Sequence, residues 1–146
     1  MLHKLLAYLF ISVLLFLSTS CAVFAQQSGS YSALEKPLSY EGQSAVSVAQ
    51  ELIAKKDYKA AMKQAEAAIK SDPKSGIPLM IKGFILDREN DSKKASSIYA
   101  KAASLSPSNG YVLNAYGAHL CEKGQFELAD SFFLRAAMDS NYPLPY

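Results

Sequence analysis

The amino-acid sequence predicts an all-α protein in which antiparallel helix hairpins stack side by side behind an N-terminal export signal. Three observations in the 146-residue chain support this class. The segment 1–25 is strongly apolar, the later part of the chain repeats a pattern every 34 positions, and each repeat contains two stretches with helical spacing of apolar or small residues. Because one hairpin cannot bury its apolar face alone, neighbouring hairpins are expected to stack into a solenoid.

The N-terminal segment has the features of an export signal. Lys4 precedes an apolar run from Leu5 to Leu17 that only one serine interrupts. A membrane-spanning helix needs about 20 apolar residues, so the run has the length of a signal-peptide core. We therefore predict that residues 1–25 are a signal peptide and that cleavage follows Ala25.

Two other fates of this segment stay open. The four residues that end at Cys21 resemble a bacterial lipobox, in which Cys21 would be acylated and would attach the chain to a membrane. Alternatively, the apolar run stays uncleaved and anchors the protein in the inner membrane. All three interpretations predict a protein that leaves the cytoplasm.

The remaining composition limits the function classes. Without the segment 1–25 the chain has 14 basic and 13 acidic side chains, and this small net charge argues against a nucleic-acid partner. About 120 residues suit one domain with a modest core. Two cysteines, Cys21 and Cys121, exclude a disulfide-dense scaffold.

Residues 26–41 are predicted to form a flexible linker, because they are polar, contain Pro37 and show no apolar period. Residues 42–146 are predicted to hold three repeat units, which span residues 42–75, 76–109 and 110–143.

The repeat rests on residues that recur at intervals of 34. Glycine and alanine in the first helix would let the two helices approach closely, while Tyr99 and Phe133 would fill the space beside them. Pro73 and Pro107 end the first two units, because proline lacks the N–H that a continuing helix needs. The recurring sets are Ala49, Gly83, Gly117; Leu52, Leu86, Leu120; Ala61, Ala95, Ala129; Ala65, Tyr99, Phe133; and Ala68, Ala102, Ala136.

This arrangement resembles the tetratricopeptide repeat, with its small residue in the first helix, its Ala-x₃-aromatic-x₂-Ala pattern in the second and its closing proline. The resemblance covers residues 42 to about 143. It implies that the first helix of each unit lines a concave inner surface. The residues of those helices that are not needed for packing form the predicted partner-binding groove: Val46, Gln50, Ile53, Ile77, Met80, Phe84, Asp87, Tyr111, Asn114 and Cys121.

The groove is mainly apolar, which suits a peptide segment of a protein partner with aliphatic anchors. Catalytic chemistry is not expected. His119 and Cys121 lie two positions apart on a helix and point to different sides, which disfavours a Cys–His nucleophile pair and indicates ordinary surface or core residues. The sequence contains neither a cluster of metal ligands nor a glycine-rich phosphate loop, so we predict no enzyme, no metal site and no cofactor.

A closer resemblance involves the last unit, which contains Asn114, Tyr116, Gly117, Leu120, Cys121, Gly124, Phe126, Ala129, Asp139, Tyr142 and Pro143. These residues resemble the signature of the type IV pilus biogenesis/stability family, the pilotins of the PilF/PilW type. The resemblance implies a scaffold in the periplasm, or on the periplasmic face of the outer membrane, of a Gram-negative bacterium. Its implied partner is the pilus secretin, whose assembly or stability it would assist.

Two alternatives remain beside this function. The chain could be a general periplasmic adaptor for another envelope complex, or a shortened relic of a longer array. The predicted last helix favours the second of these, because it is rich in apolar residues and one of its faces has no evident cover in the sequence. That face could instead support self-association.

Overall fold

The computed structural model describes residues 36–142, and these residues form six α-helices without a β-strand. This confirms the predicted all-α class. The predicted signal peptide, Cys21 and residues 26–35 of the predicted linker lie outside the described residues. The helices are α1 Tyr40–Ala54, α2 Tyr58–Ser71, α3 Gly76–Arg88, α4 Ser92–Leu105, α5 Gly110–Glu122 and α6 Phe126–Ala137.

The helices pair as three antiparallel hairpins, α1 with α2, α3 with α4 and α5 with α6. The second helices α2 and α4 also pack against the first helix of the next hairpin, α3 and α5 respectively. The first helices contact one another, α1 with α3 and α3 with α5, whereas the second helices within residues 36–142 do not. The first helices therefore share one surface of the stack, and this surface contains the candidate groove.

The helix starts and hairpin turns follow from local chemistry. Ser39 caps α1, because its Oγ accepts a hydrogen bond from the N–H of Gly42 at 3.1 Å. The helix therefore begins at Tyr40, two positions before the predicted start of the first repeat unit. Each hairpin turn contains one residue with a positive φ, and these residues lie 34 positions apart: Lys56 at 59°, Asn90 at 62° and Gly124 at 72°.

A polar side chain after each second helix closes its hairpin. Asp72 accepts hydrogen bonds from the N–H and Oγ–H of Ser39, and Ser106 Oγ accepts one from the N–H of Gly76 at 2.8 Å. Asp139 Oδ2 accepts the equivalent bond from the N–H of Gly110, also at 2.8 Å. These bonds satisfy N–H groups that helix starts leave without intrahelical partners.

Close helix approach within the second and third hairpins depends on glycine opposite an aromatic ring, as the repeat pattern predicted. A Cβ atom built on Gly83 would lie 3.0 Å from Cε1 of Tyr99. On Gly117 it would lie 2.7 Å from Cε1 of Phe133, a distance that real Cβ atoms essentially never show. Each ring therefore occupies the volume that a larger residue in the first helix would need.

We expect Gly117→Ala to destabilise the protein. Overpacking against Phe133 should cost about 1–3 kcal/mol, which exceeds the roughly 0.5–1 kcal/mol that alanine contributes inside a helix. In a Phe133→Leu background the clash is relieved, so the same substitution should be neutral or stabilising. Urea unfolding of wild type, Gly117→Ala, Phe133→Leu and the double variant measures the free energy of unfolding in each case. An equal loss of stability on Gly117→Ala in both backgrounds would contradict this packing.

Candidate binding groove

A half-open cavity of about 230 Å³ lies on the surface shared by the first helices. Gln50 and Ile53 line it from α1, Met80, Ile81 and Phe84 from α3, and Ala115 from α5. All three hairpins therefore contribute to its wall. The stacking of the hairpins, rather than any single helix, creates this site.

The chemistry of the cavity is apolar. Gln50 is the one lining residue with a polar side chain, and no lining residue carries a charge. Phe84 and Met80 are half-buried, so parts of their side chains remain accessible to a ligand. Such a wall can bind an aliphatic or aromatic side chain of a partner segment, because transfer of apolar area from water stabilises the complex.

Four of the sequence-predicted groove residues meet at this cavity, namely Gln50, Ile53, Met80 and Phe84. The sequence interpretation missed Ile81 and Ala115. Ile81 is mostly buried and continues into the core of the first hairpin, and its repeat position is not among the recurring sets. Ala115 belongs to neither of the recurring helix patterns, and only the close contact of α3 with α5 brings it to the cavity.

The other predicted groove residues do not line the cavity. Ile77 packs against the core between the second and third hairpins, and the ring of Tyr111 lies edge-on to Tyr142 at 5.1 Å. Cys121 is exposed, and Asn114 is half-buried. Val46 is only 8% exposed, so it contributes to the core instead.

Val48 of α1 shows how the neighbours of a helix change the exposure at one position of the repeat, because it is 38% exposed. Its equivalent in the next hairpin, Lys82, contacts Glu66 of the preceding hairpin at 2.9 Å. Among the described residues α1 has no preceding hairpin, so Val48 lacks the neighbour that this register position normally meets.

Asp87 is held by a polar network beside the groove. Its Oδ2 lies 2.8 Å from Nδ1 of His119, and Nε2 of His119 lies 2.6 Å from Oγ of Ser96. The three residues belong to α3, α5 and α4, so the network joins the second hairpin to the third. His119 is only 2% exposed and is therefore a core residue. Both of its ring nitrogens have hydrogen-bond partners, Ser96 and Asp87.

A hydroxyl, an imidazole and a carboxylate in this order also occur in hydrolase triads. Here the imidazole is buried between aromatic rings, with the centroid of Tyr99 5.0 Å and that of Tyr116 6.4 Å away. Oγ of Ser96 also lies 3.0 Å from the carbonyl oxygen of Ser92 in its own helix. The network is therefore suited to fixing the stacking of two hairpins.

Metal-ligand clusters and membrane-spanning helices are both absent from residues 36–142. Among them no group of three or more His, Cys, Asp and Glu side chains could hold a metal ion. None of their helices combines the length and apolar character that a membrane crossing requires.

The family comparison identifies the repeat. The tetratricopeptide repeat model matches residues 43–75 and 79–109. Two tetratricopeptide repeats are therefore present within residues 43–109, in agreement with the resemblance found in the sequence. A search of curated protein sequences found no match.

Two solved structures of pilus proteins are similar to this chain. Pseudomonas aeruginosa PilF is 25% identical with a TM-score of 0.66, over 70% of this chain and 46% of the PilF chain. PilW, a type IV pilus biogenesis factor, is 28% identical with a TM-score of 0.66, over 74% of this chain and 50% of the PilW chain. This chain thus resembles both pilus proteins and spans about half the length of each.

A more distant neighbour shares the fold alone. It is the second tetratricopeptide domain of Spaghetti (RPAP3), solved with an HSP90 peptide, at 13% identity and a TM-score of 0.59. The alignment covers 69% of this chain and 94% of that domain.

The buried ring of Tyr99 predicts an alkaline loss of stability. Burial, together with the nearby Asp87 carboxylate, raises the pKa of Tyr99 above its ordinary value. The folded state therefore keeps the phenol neutral, while the unfolded chain ionises it above about pH 10. The free energy of unfolding should consequently fall above that pH, by up to about 1.4 kcal/mol per pH unit from this group.

Urea unfolding between neutral and alkaline pH tests this expectation. Tyr99→Phe should make the decline shallower, whereas Tyr111→Phe, which alters an exposed ring, should keep the wild-type profile. Parallel profiles for wild type and Tyr99→Phe would show that Tyr99 does not cause the loss.

Proposed function

We propose that this chain is an exported, non-catalytic scaffold that binds a segment of the type IV pilus secretin in its inner groove and assists secretin assembly or stability. The observation that carries the proposal is the apolar cavity formed jointly by α1, α3 and α5. A cavity of about 230 Å³ has room for one or two apolar side chains rather than for a folded domain. The partner is therefore expected to present a short segment.

The pilus assignment is supported by the similarity to PilF and PilW, at 25% and 28% identity. The resembling residues of the last unit also have structural roles here. Tyr142 packs on the core beside Gly110, and Asp139 accepts the hydrogen bond of the Gly110 N–H. These residues thus close the third hairpin, which supplies Ala115 to the cavity.

Export forms part of the same proposal. A charged N-terminus followed by the apolar run from Leu5 to Leu17 would direct the chain out of the cytoplasm. After cleavage the scaffold would work in the periplasm, and acylation at Cys21 would attach it to the periplasmic face of the outer membrane. Both locations give the groove access to a secretin.

A general adaptor for another envelope complex is the second candidate function. The lining of the cavity favours it, because six residues without a charge would accept aliphatic anchors from many segments. Fold alone does not distinguish one partner from another.

The test uses the purified periplasmic region of the type IV pilus secretin from the bacterium that encodes this chain. Wild-type chain should bind it, and Phe84→Asp should weaken binding at least ten-fold, about 1.4 kcal/mol, because a carboxylate would replace an apolar wall. The matched control is Leu128→Asp, an exposed apolar residue outside the cavity, which should bind like wild type. Isothermal titration calorimetry measures the affinity of wild type, Phe84→Asp and Leu128→Asp for the secretin region.

Circular dichroism must show equal helicity, because Phe84 also packs against the core cluster that contains Leu86 and Tyr99. If Phe84→Asp unfolds, Gln50→Asp places the charge on an exposed lining residue instead and should weaken binding. Unchanged binding by a folded cavity variant would contradict the groove. Absence of binding between the wild-type chain and the secretin would contradict the pilus assignment and favour the general adaptor.

A further inference from the structure

Each of the two internal junctions between hairpins contains a polar contact, at a different position of the repeat. At each junction a polar side chain of the second helix meets a basic or imidazole side chain of the next first helix. Glu66 of α2 lies 2.9 Å from Nζ of Lys82 in α3, and Ser96 of α4 lies 2.6 Å from Nε2 of His119 in α5. Apolar packing accompanies the polar contacts, as Met62 illustrates by packing against the core cluster that contains Ile85.

The face of α6 that corresponds to these junctions is uncovered in the described part of the chain. Counting in steps of 34, Asp130 corresponds to Ser96 and Met62, and Leu134 corresponds to Glu66. Phe126, Asp130, Leu134 and Ala137 form this set, which we call the outer stacking face. All four residues are exposed, and Leu134 is 70% exposed.

The outer stacking face thus carries an acid between apolar residues. Asp130 forms no ion pair with any other residue of the range 36–142. At the preceding junction the corresponding residue, Ser96, contacts the imidazole of His119. A helix that stacks on α6 with the same geometry would bring its own residue at the His119 position close to Asp130.

We propose that the outer stacking face binds an amphipathic helix of a partner protein, and that this helix places a lysine, arginine or histidine opposite Asp130 between aliphatic neighbours. Charge complementarity favours a cation there, because an apolar or acidic residue would leave the Asp130 carboxylate desolvated or repelled. The surrounding apolar side chains would be covered by the same helix, as at the internal junctions. The proposal does not depend on which ligand occupies the inner groove.

The same geometry excludes a second copy that stacks head to tail. In such a stack α1 of one copy would lie on α6 of the other. Glu51 occupies the α1 position that corresponds to His119 and Ile85, so it would face Asp130. Ser47 would stand where Ile81 packs at the first internal junction. Two like charges and a missing apolar contact therefore oppose self-stacking.

This exclusion provides a direct test, because α1 can be converted into the helix that the face is expected to bind. Ser47→Ile restores the apolar contact, and Glu51→Lys supplies the cation. Both positions are exposed, so the fold should tolerate the changes. The purified protein, as processed by the producing cell, is studied by sedimentation velocity over a concentration series, with circular dichroism as the folding control.

Wild type and Ser47→Ile should sediment as monomers. The Ser47→Ile/Glu51→Lys variant should shift to larger species as its concentration rises, and adding Asp130→Lys should return it to the monomer. A double variant that stays folded and monomeric would overturn the proposal. Equal association by Ser47→Ile alone, or by the triple variant, would also overturn it, because the contact would then not depend on the charge opposite Asp130.

Discussion

Close approach of two helices within each hairpin is the constraint on which the rest of this structure depends. In the second and third hairpins a ring from the second helix fills the volume beside a glycine of the first, Tyr99 beside Gly83 and Phe133 beside Gly117. In the first hairpin the equivalent positions are Ala49 and Ala65, both fully buried, which achieve close approach without a ring. The hairpins stack so that the first helices contact one another, α1 with α3 and α3 with α5, and form one surface.

Polar residues lie between the hairpins, whereas the inner surface is mainly apolar. Pairs such as Glu66 with Lys82, and the network of Ser96, His119 and Asp87, join successive hairpins. The buried network fixes register, since a buried polar group that lost its partner would cost about 1–3 kcal/mol, whereas the exposed pair of Glu66 and Lys82 contributes little to stability. The surface shared by the first helices is left apolar around its cavity. A scaffold with this division can bind a partner segment without catalytic or metal chemistry.

Much of the fold could be predicted from the sequence, because a pattern that recurs every 34 positions fixes small side chains, aromatic rings and turns at equivalent places. The site was less predictable. Val46 and Ile77 had the spacing of groove residues, yet Val46 is buried and Ile77 is partly buried against the core between the second and third hairpins. The contact between His119 and Asp87 joins different helices, and no local pattern indicates it. The closing bonds of Gly76 and Gly110 could have been found, since these two glycines also occupy equivalent positions of successive repeats.

The central claim is that a partner segment binds where α1, α3 and α5 meet. Backbone amide hydrogen exchange of the chain, alone and with the periplasmic region of the pilus secretin, measures this most directly. The account predicts slower exchange in α1 and α3 around Ile53 and Met80 when the secretin is present, because ligand contacts would suppress local opening there. Slower exchange confined to α2, α4 or α6, with α1 and α3 unchanged, would contradict it.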